Sequence, residues 1–153
     1  MPESRAVTPI EAIVVCLALV AGSVTDLRDR VIPDVITLPA AGLVGLSALL
    51  AGPPFGGLLS GTVTAAMICL PLGALSVLRP ASFGMGDVKL IAVMSLAAGP
   101  AVWAPLIAGF GIATGYGLVR ARAEGLGPGE TALPLAPFLA LPGVAFFGAV
   151  VIW

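Results

Sequence analysis

Residues 10–34 read IEAIVVCLALVAGSVTDLRDRVIPD. The first part, from about Ile10 to Val24, is an apolar run with Glu11 near its outer end. The second part, Thr25 to Asp34, holds three of the chain's eight carboxylates: Asp26, Asp29 and Asp34. A run of this kind ending in a knot of charge reads as a helix that crosses hydrocarbon and stops at the headgroups. Met1 to Pro9 carries one Arg against one Glu, and no clear small-x-small site closes the run. It therefore reads as a retained helix rather than a cleaved signal.

The unit recurs along the chain. Run two covers about Val35 to Ala51 and stops at GPPFGG, residues 52–57, where paired prolines and glycines make a turn. Run three covers about Leu58 to Leu78 and ends at Arg79-Pro80. A glycine-containing loop, Ala81 to Lys89, leads into a fourth run from Val88 to Ala98, and run five covers about Ala101 to Val119. A polar stretch with Arg120, Arg122, Glu124 and Glu130 follows. The last run, about Leu133 to Trp153, carries Pro134, Pro137 and Pro142, which kink it or delay its start. Its terminal Trp153 suits a membrane interface.

Composition agrees. Of 153 residues, 59% are hydrophobic and 10% charged, and the mean hydropathy is +1.13. A soluble domain carries roughly a quarter charged residues, and so small a chain cannot hide this much apolar surface from water. Strand-length alternation of an outer-membrane barrel is absent. The fold class expected is an all-α polytopic membrane protein, with residues 1–153 as a single membrane domain. Net charge −1 leaves no nucleic-acid footprint.

The fourth run is the doubtful one. Eleven residues cover about 16 Å of a hydrocarbon core roughly 30 Å thick, so length alone makes it re-entrant or incomplete. Charge arbitrates, because Lys and Arg favour the cytoplasmic ends of short loops. With six crossings, Arg28, Arg30, Arg79, Lys89, Arg120 and Arg122 fall on one side and only Arg5 on the other; with a re-entrant fourth run the split is four to three. Six crossings are expected, both termini outside, with the short fourth helix beginning before Val88 or lying where its neighbours thin the span.

Two carboxylates stand at the same cytoplasmic border in this topology: Asp26 just beyond run one, and Asp87 at the head of run four, 61 residues later. Two carboxyls within reach of one another cannot both ionise easily, so one keeps a proton while the other acts as a base. Such a pair can activate water against an amide carbonyl and protonate the leaving amine. Gly84 and Gly86 leave the backbone before Asp87 open to a substrate strand. On physical grounds alone simple capping is the better reading, ahead of a paired catalytic or ion-binding site: Asp87 capping run four, Asp26 ending run one. Asp29 reads as a solvated partner of Arg28 and Arg30. Asp34 reads as the cap of run two, with Pro33 turning the chain before it. Lys89 either favours the ionised form of Asp87 or meets lipid phosphates and enforces topology.

Together, DLRDRVIPDVITLP (Asp26 to Pro39) and GMGDVKL (Gly84 to Leu90) resemble the prepilin peptidase family, a branch of the membrane GxGD aspartic proteases. A third block, LPLAPFLALPG (Leu133 to Gly143), is similar to the family's late PFGPFLALG segment, with Leu135-Ala136 in place of the usual Phe-Gly pair. The resemblance places the catalytic aspartates at Asp26 and Asp87 and the motif glycines at Gly84 and Gly86. It implies an endopeptidase of the bacterial inner membrane that removes the short basic leader of prepilins or pilin-like proteins at the cytoplasmic face. It also implies the short, peptidase-only form, without the cytoplasmic region that longer members use for N-methylation.

With no histidine in the chain, a Ser-His-Asp triad, a Cys-His dyad and an imidazole metal cage are excluded. Cys16 and Cys69 each lie inside an apolar run and form no paired motif. No nucleotide loop stands in the sequence, so no cofactor is expected. The expected partners are a prepilin-like substrate and membrane lipid. The competing reading is an ion-coupled transporter or a membrane assembly subunit, which border carboxylates and intramembrane Gly and Pro would also suit.

Overall fold

A computed structural model describes residues 6–50, 56–78, 84–125 and 134–152. The main part of the expected turn at 52–57, the Arg79-Pro80 end of run three, residues 81–83, Arg5, Glu130, Leu133 and Trp153 lie outside the described residues. Among the described residues every regular element is helical: α1 (Pro9–Asp29), α2 (Asp34–Leu50), α3 (Gly56–Leu78), α4 (Met85–Ala98), a 3₁₀ turn (Gly99–Val102), α5 (Trp103–Glu124) and α6 (Ala136–Ile152).

The run from Ile10 becomes a helix because its start is closed on both sides. The Glu11 N–H donates to Thr8 Oγ1 at 3.3 Å, and the Thr8 N–H donates to Glu11 Oε2 at 2.9 Å, a reciprocal cap that satisfies two orphan donors. Glu11 is thereby buried. Thr8 Oγ1 also lies 3.2 Å from Ser47 Oγ, so the beginning of α1 meets the end of α2 as in an antiparallel pair. The helix does not stop at Val24. It continues to Asp29, where Arg30 takes a left-handed backbone (φ 53°) and its N–H donates to the Asp26 carbonyl. The apolar run measures hydrocarbon, whereas the hydrogen-bond ladder continues past it for as long as side chains permit. Asp26 consequently sits on a helix, in register with the buried stripe Ala12, Val15, Leu19, Gly22 and Ser23. Similarly, α5 runs on to Glu124 and carries Arg120 and Arg122 on helix; Arg120 Nε donates to Glu124 Oε1 at 2.7 Å, one turn on.

α4 is the centre of the bundle. It starts at Met85, before Val88 as expected, and packs against α1, α2, α3 and α6. Leu90, Ile91, Val93, Met94 and Ser95 are all buried, and Ser95 Oγ donates to the Ile91 carbonyl. A helix enclosed on all sides needs no polar face. Its carboxyl end turns at Gly99 (φ 52°), a conformation suited to glycine. α5 leaves α4 and packs instead on α6.

Glycines set the helix spacings. A Cβ on Gly61 of α3 would lie 2.5 Å from the Leu96 carbonyl oxygen of α4; one on Gly109 of α5 would lie 2.9 Å from the Phe138 carbonyl of α6; one on Gly143 of α6 would lie 2.7 Å from Leu19 Cδ1 of α1. Close approach through small residues is how helices associate where lipid offers no hydrophobic drive.

The outer surface is apolar: Leu17, Leu38, Met67, Leu70, Ile107 and Leu141 are all exposed, as lipid-facing residues are. Pro9–Asp29, Gly57–Leu78 and Met85–Glu124 are long and apolar enough to cross a membrane, while α2 and α6 are shorter apolar helices. The chain is an α-helical membrane protein.

Candidate active site

The last turn of α1, the α1–α2 connector and the first turn of α4 enclose a cleft of about 450 Å³. Asp26, Arg30, Ile32, Pro33, Asp34, Gly84, Gly86, Asp87 and Lys89 line it. The two aspartates singled out in the sequence thus meet, although α2 and α3 intervene in the chain. α1 brings Asp26 to the cleft as the last member of its buried stripe, and α4 brings Asp87 in its first turn. Both side chains are largely buried, at 7% and 8% exposure, and Asp87 lies within electrostatic reach of Asp26.

Neither aspartate is a simple cap of its own helix. Gly84 occupies the position before α4, and Asp87 Oδ1 is buried with no hydrogen-bond partner among the described residues. A buried, unpaired carboxyl oxygen is costly for a fold, which makes a purely structural Asp87 a poor bargain. Asp26 is anchored differently. Its Oδ2 accepts the backbone N–H of Ala136, the first residue of α6, at 3.2 Å.

The other residues take places that the sequence left open or misread. Gly86 does not keep the backbone clear for a substrate: a Cβ there would lie 2.8 Å from Ile32 Cβ, so its bare backbone is used to pack α4 against the connector. Gly84 is exposed, and a Cβ on it would stand 3.2 Å from Asp87 Oδ2, so it keeps space beside the carboxylate. Asp34 is not the cap of α2 but its first residue, and its Oδ1 pairs with Lys89 Nζ across the cleft. Lys89 is thus ion-paired with Asp34 rather than with Asp87. Pro33 precedes α2 as expected, and its carbonyl accepts the Ile36 N–H at 3.1 Å. Asp29 is the exposed last residue of α1 and does not line the cleft.

Carboxylates from two separate sequence blocks lining one cleft of an apolar helix bundle, with Ala136 of the third block bonded to one of them, are paralleled by a sequence match: residues 13–152 match the type IV leader peptidase family. The chain belongs to that family. No curated protein and no solved structure matches it. Family membership makes this leader peptidase homologue a prepilin-type peptidase at the level of the family.

The contact from Ala136 is the part of this leader peptidase's site that reading its sequence missed. The third block was visible as a resemblance, but nothing in its apolar residues announces that one backbone amide reaches Asp26, 110 residues away. Pro137 is at most a retrospective signal of where α6 begins, since proline is tolerated in a first helical turn, whose amides lack intrahelical partners.

Proposed function

We propose that this protein is a membrane aspartic endopeptidase that cuts the short, basic leader from prepilins or pilin-like proteins at the cytoplasmic face of the bacterial inner membrane. The observation that carries the reading is that Asp26 and Asp87, both nearly buried, line one cleft.

The chemistry follows from the pair. Asp26 and Asp87 share one proton. The ionised carboxylate takes a proton from water as the water oxygen attacks the scissile carbonyl carbon. The protonated partner stabilises the oxygen on which negative charge develops, and a proton is delivered to the departing amine as the C–N bond breaks. Water is the nucleophile, and no covalent intermediate with the protein forms. The apolar flanks of the bundle accommodate the hydrophobic helix that follows the leader, and the cleft takes the extended segment between them.

In this reading the whole chain acts as one membrane domain with six crossings and needs no cofactor. Both aspartates lie at the border, where water can enter. Asp26→Asn and Asp87→Asn, each made in the full chain, are expected to abolish cleavage of a coexpressed pilin-like substrate while membrane insertion is retained. Intact-mass measurement of the substrate is the readout. Normal turnover by either purified variant would defeat the assignment.

A further inference from the structure

The first turn of α6 supplies few free donors. Pro137 has no N–H, and the N–H groups of Phe138 and Leu139 both donate to the Leu135 carbonyl, at 3.0 and 3.1 Å. Of residues 136–139, that leaves the N–H of Ala136, and it is spent on Asp26 Oδ2 at 3.2 Å in a buried contact. Ala136 itself is fully enclosed, so water does not compete for the same amide. α6 is held against α1 at the level of Gly143 and Leu19, which fixes its first turn relative to Asp26.

We propose that the Ala136 amide is a positioning group for the Asp26 carboxyl, holding Oδ2 as an acceptor so that Oδ1 is the oxygen that handles the proton of the reaction. The inference rests on the peptidase reading above. An anchored carboxyl has one rotamer and one reacting oxygen, whereas an unanchored one spends part of its time turned away from water and substrate. At 3.2 Å the bond is at the long end for an amide donor, so its effect is to orient the carboxyl rather than to bind it tightly, and misplacement of a reacting group is felt mainly in the chemical step. The third sequence block thereby acquires a task distinct from substrate contact: it presents a backbone donor to the catalytic end of α1.

The contact can be removed without deleting a hydrogen bond of the helix. The amide of a first helical residue has no intrahelical partner, so replacing Ala136 by lactic acid, which turns that N–H into an ester oxygen, takes no donor from α6; it weakens the Leu135 carbonyl as the acceptor of the Phe138 and Leu139 N–H groups, which the thermal transition of the ester protein reads. The full chain is made with this backbone ester by nonsense suppression, alongside the unsubstituted protein, Ala136→Gly, which keeps the N–H, and Asp26→Asn. Cleavage of a pilin-like substrate is followed in detergent. The ester is expected to lower kcat by roughly ten-fold or more with KM little changed, while Ala136→Gly retains most of kcat. An ester with the kcat of the unsubstituted protein would overturn the proposal. So would a loss confined to KM, or an ester protein that fails to insert or loses its thermal transition, since each makes the contact a substrate or folding determinant instead. Absence of cleavage by the unsubstituted protein, or full cleavage by Asp26→Asn, would mark failure of the peptidase reading itself.

Discussion

At Gly86 one methyl group decides whether α4 can lie against the α1–α2 connector. A Cβ there would sit 2.8 Å from Ile32 Cβ and 3.1 Å from Ile32 Cγ1, and branched Ile32 is itself buried and stiff at its first side-chain torsion. Gly86→Ala therefore pushes the connector outward, at a cost of roughly 1–3 kcal/mol for overpacking. The helix propensity recovered by replacing a glycine, at most about 1 kcal/mol, offsets only part of it. Because residues 30–34 line the cleft, the same shift lowers turnover. Gly42 of α2, with nothing within 4 Å of its Cβ position, is the control: Gly42→Ala should leave thermal stability in detergent unchanged or slightly raised, and a Gly86→Ala protein equally stable would refute the packing account. The Asp34–Lys89 pair belongs to a different class. Its side chains are 56% and 38% exposed, so solvent screening leaves it a contribution of about 0–1 kcal/mol, and its place is at the rim of the cleft.

Among the helices, α3 and α4 form the contact that carries Asp87 to its place, and Gly61 is the residue on which it turns. Its Cβ position is 2.5 Å from the Leu96 carbonyl oxygen, a backbone atom that cannot swing aside as a side chain would. Gly61→Ala is expected to separate the two helices, lower the thermal midpoint in detergent and reduce leader cleavage, although residue 61 is remote in sequence from every residue of the cleft. Unchanged stability and activity would show that the bundle can slide at this point. That dependence could not be read from the sequence, because a glycine on a lipid-facing stripe and one against a carbonyl look alike there. Helix type and approximate extent were legible, since apolar runs of near-bilayer length report them directly. Helix ends were less so: α1 runs five residues beyond Val24 to Asp29, because hydropathy marks where lipid ends and not where the backbone ladder does. That Asp26 and Asp87 would come to one cleft was foreseeable from two blocks at one border. The roles of Gly86, Lys89 and Ala136 depend on contacts across 54, 55 and 110 residues respectively, and local pattern carries no information at that range.

For the molecule as a whole, the remaining question is how many times it crosses the bilayer, and the cleft supplies a reference point. Arg30 and Lys89 line the same cleft, so cysteines placed at either must be reached from one side. Arg122, exposed near the end of α5, is the discriminating position. α4 has 14 residues, about 21 Å of helix at 1.5 Å per residue, less than the roughly 30 Å hydrocarbon core, so it either crosses where its neighbours enclose it or dips and returns. If it crosses, α5 brings Arg122 back to the side of Arg30 and Lys89; if it returns, Arg122 emerges on the other. Enclosure of α4 by α1, α2, α3 and α6 removes the main objection to a short crossing, since a helix screened from lipid need not match the lipid's thickness. The cationic residues add a second reason, because six crossings gather six of the seven on one face. In a background lacking Cys16 and Cys69, Arg30→Cys, Lys89→Cys and Arg122→Cys, made one at a time, should therefore all react with a membrane-impermeant thiol reagent from the cytoplasmic side alone. Labelling of Arg122→Cys from the opposite side would establish a re-entrant α4 and leave the cleft intact. Labelling of Arg30→Cys and Lys89→Cys from opposite sides would remove the common cleft, and with it the partnership of Asp26 and Asp87.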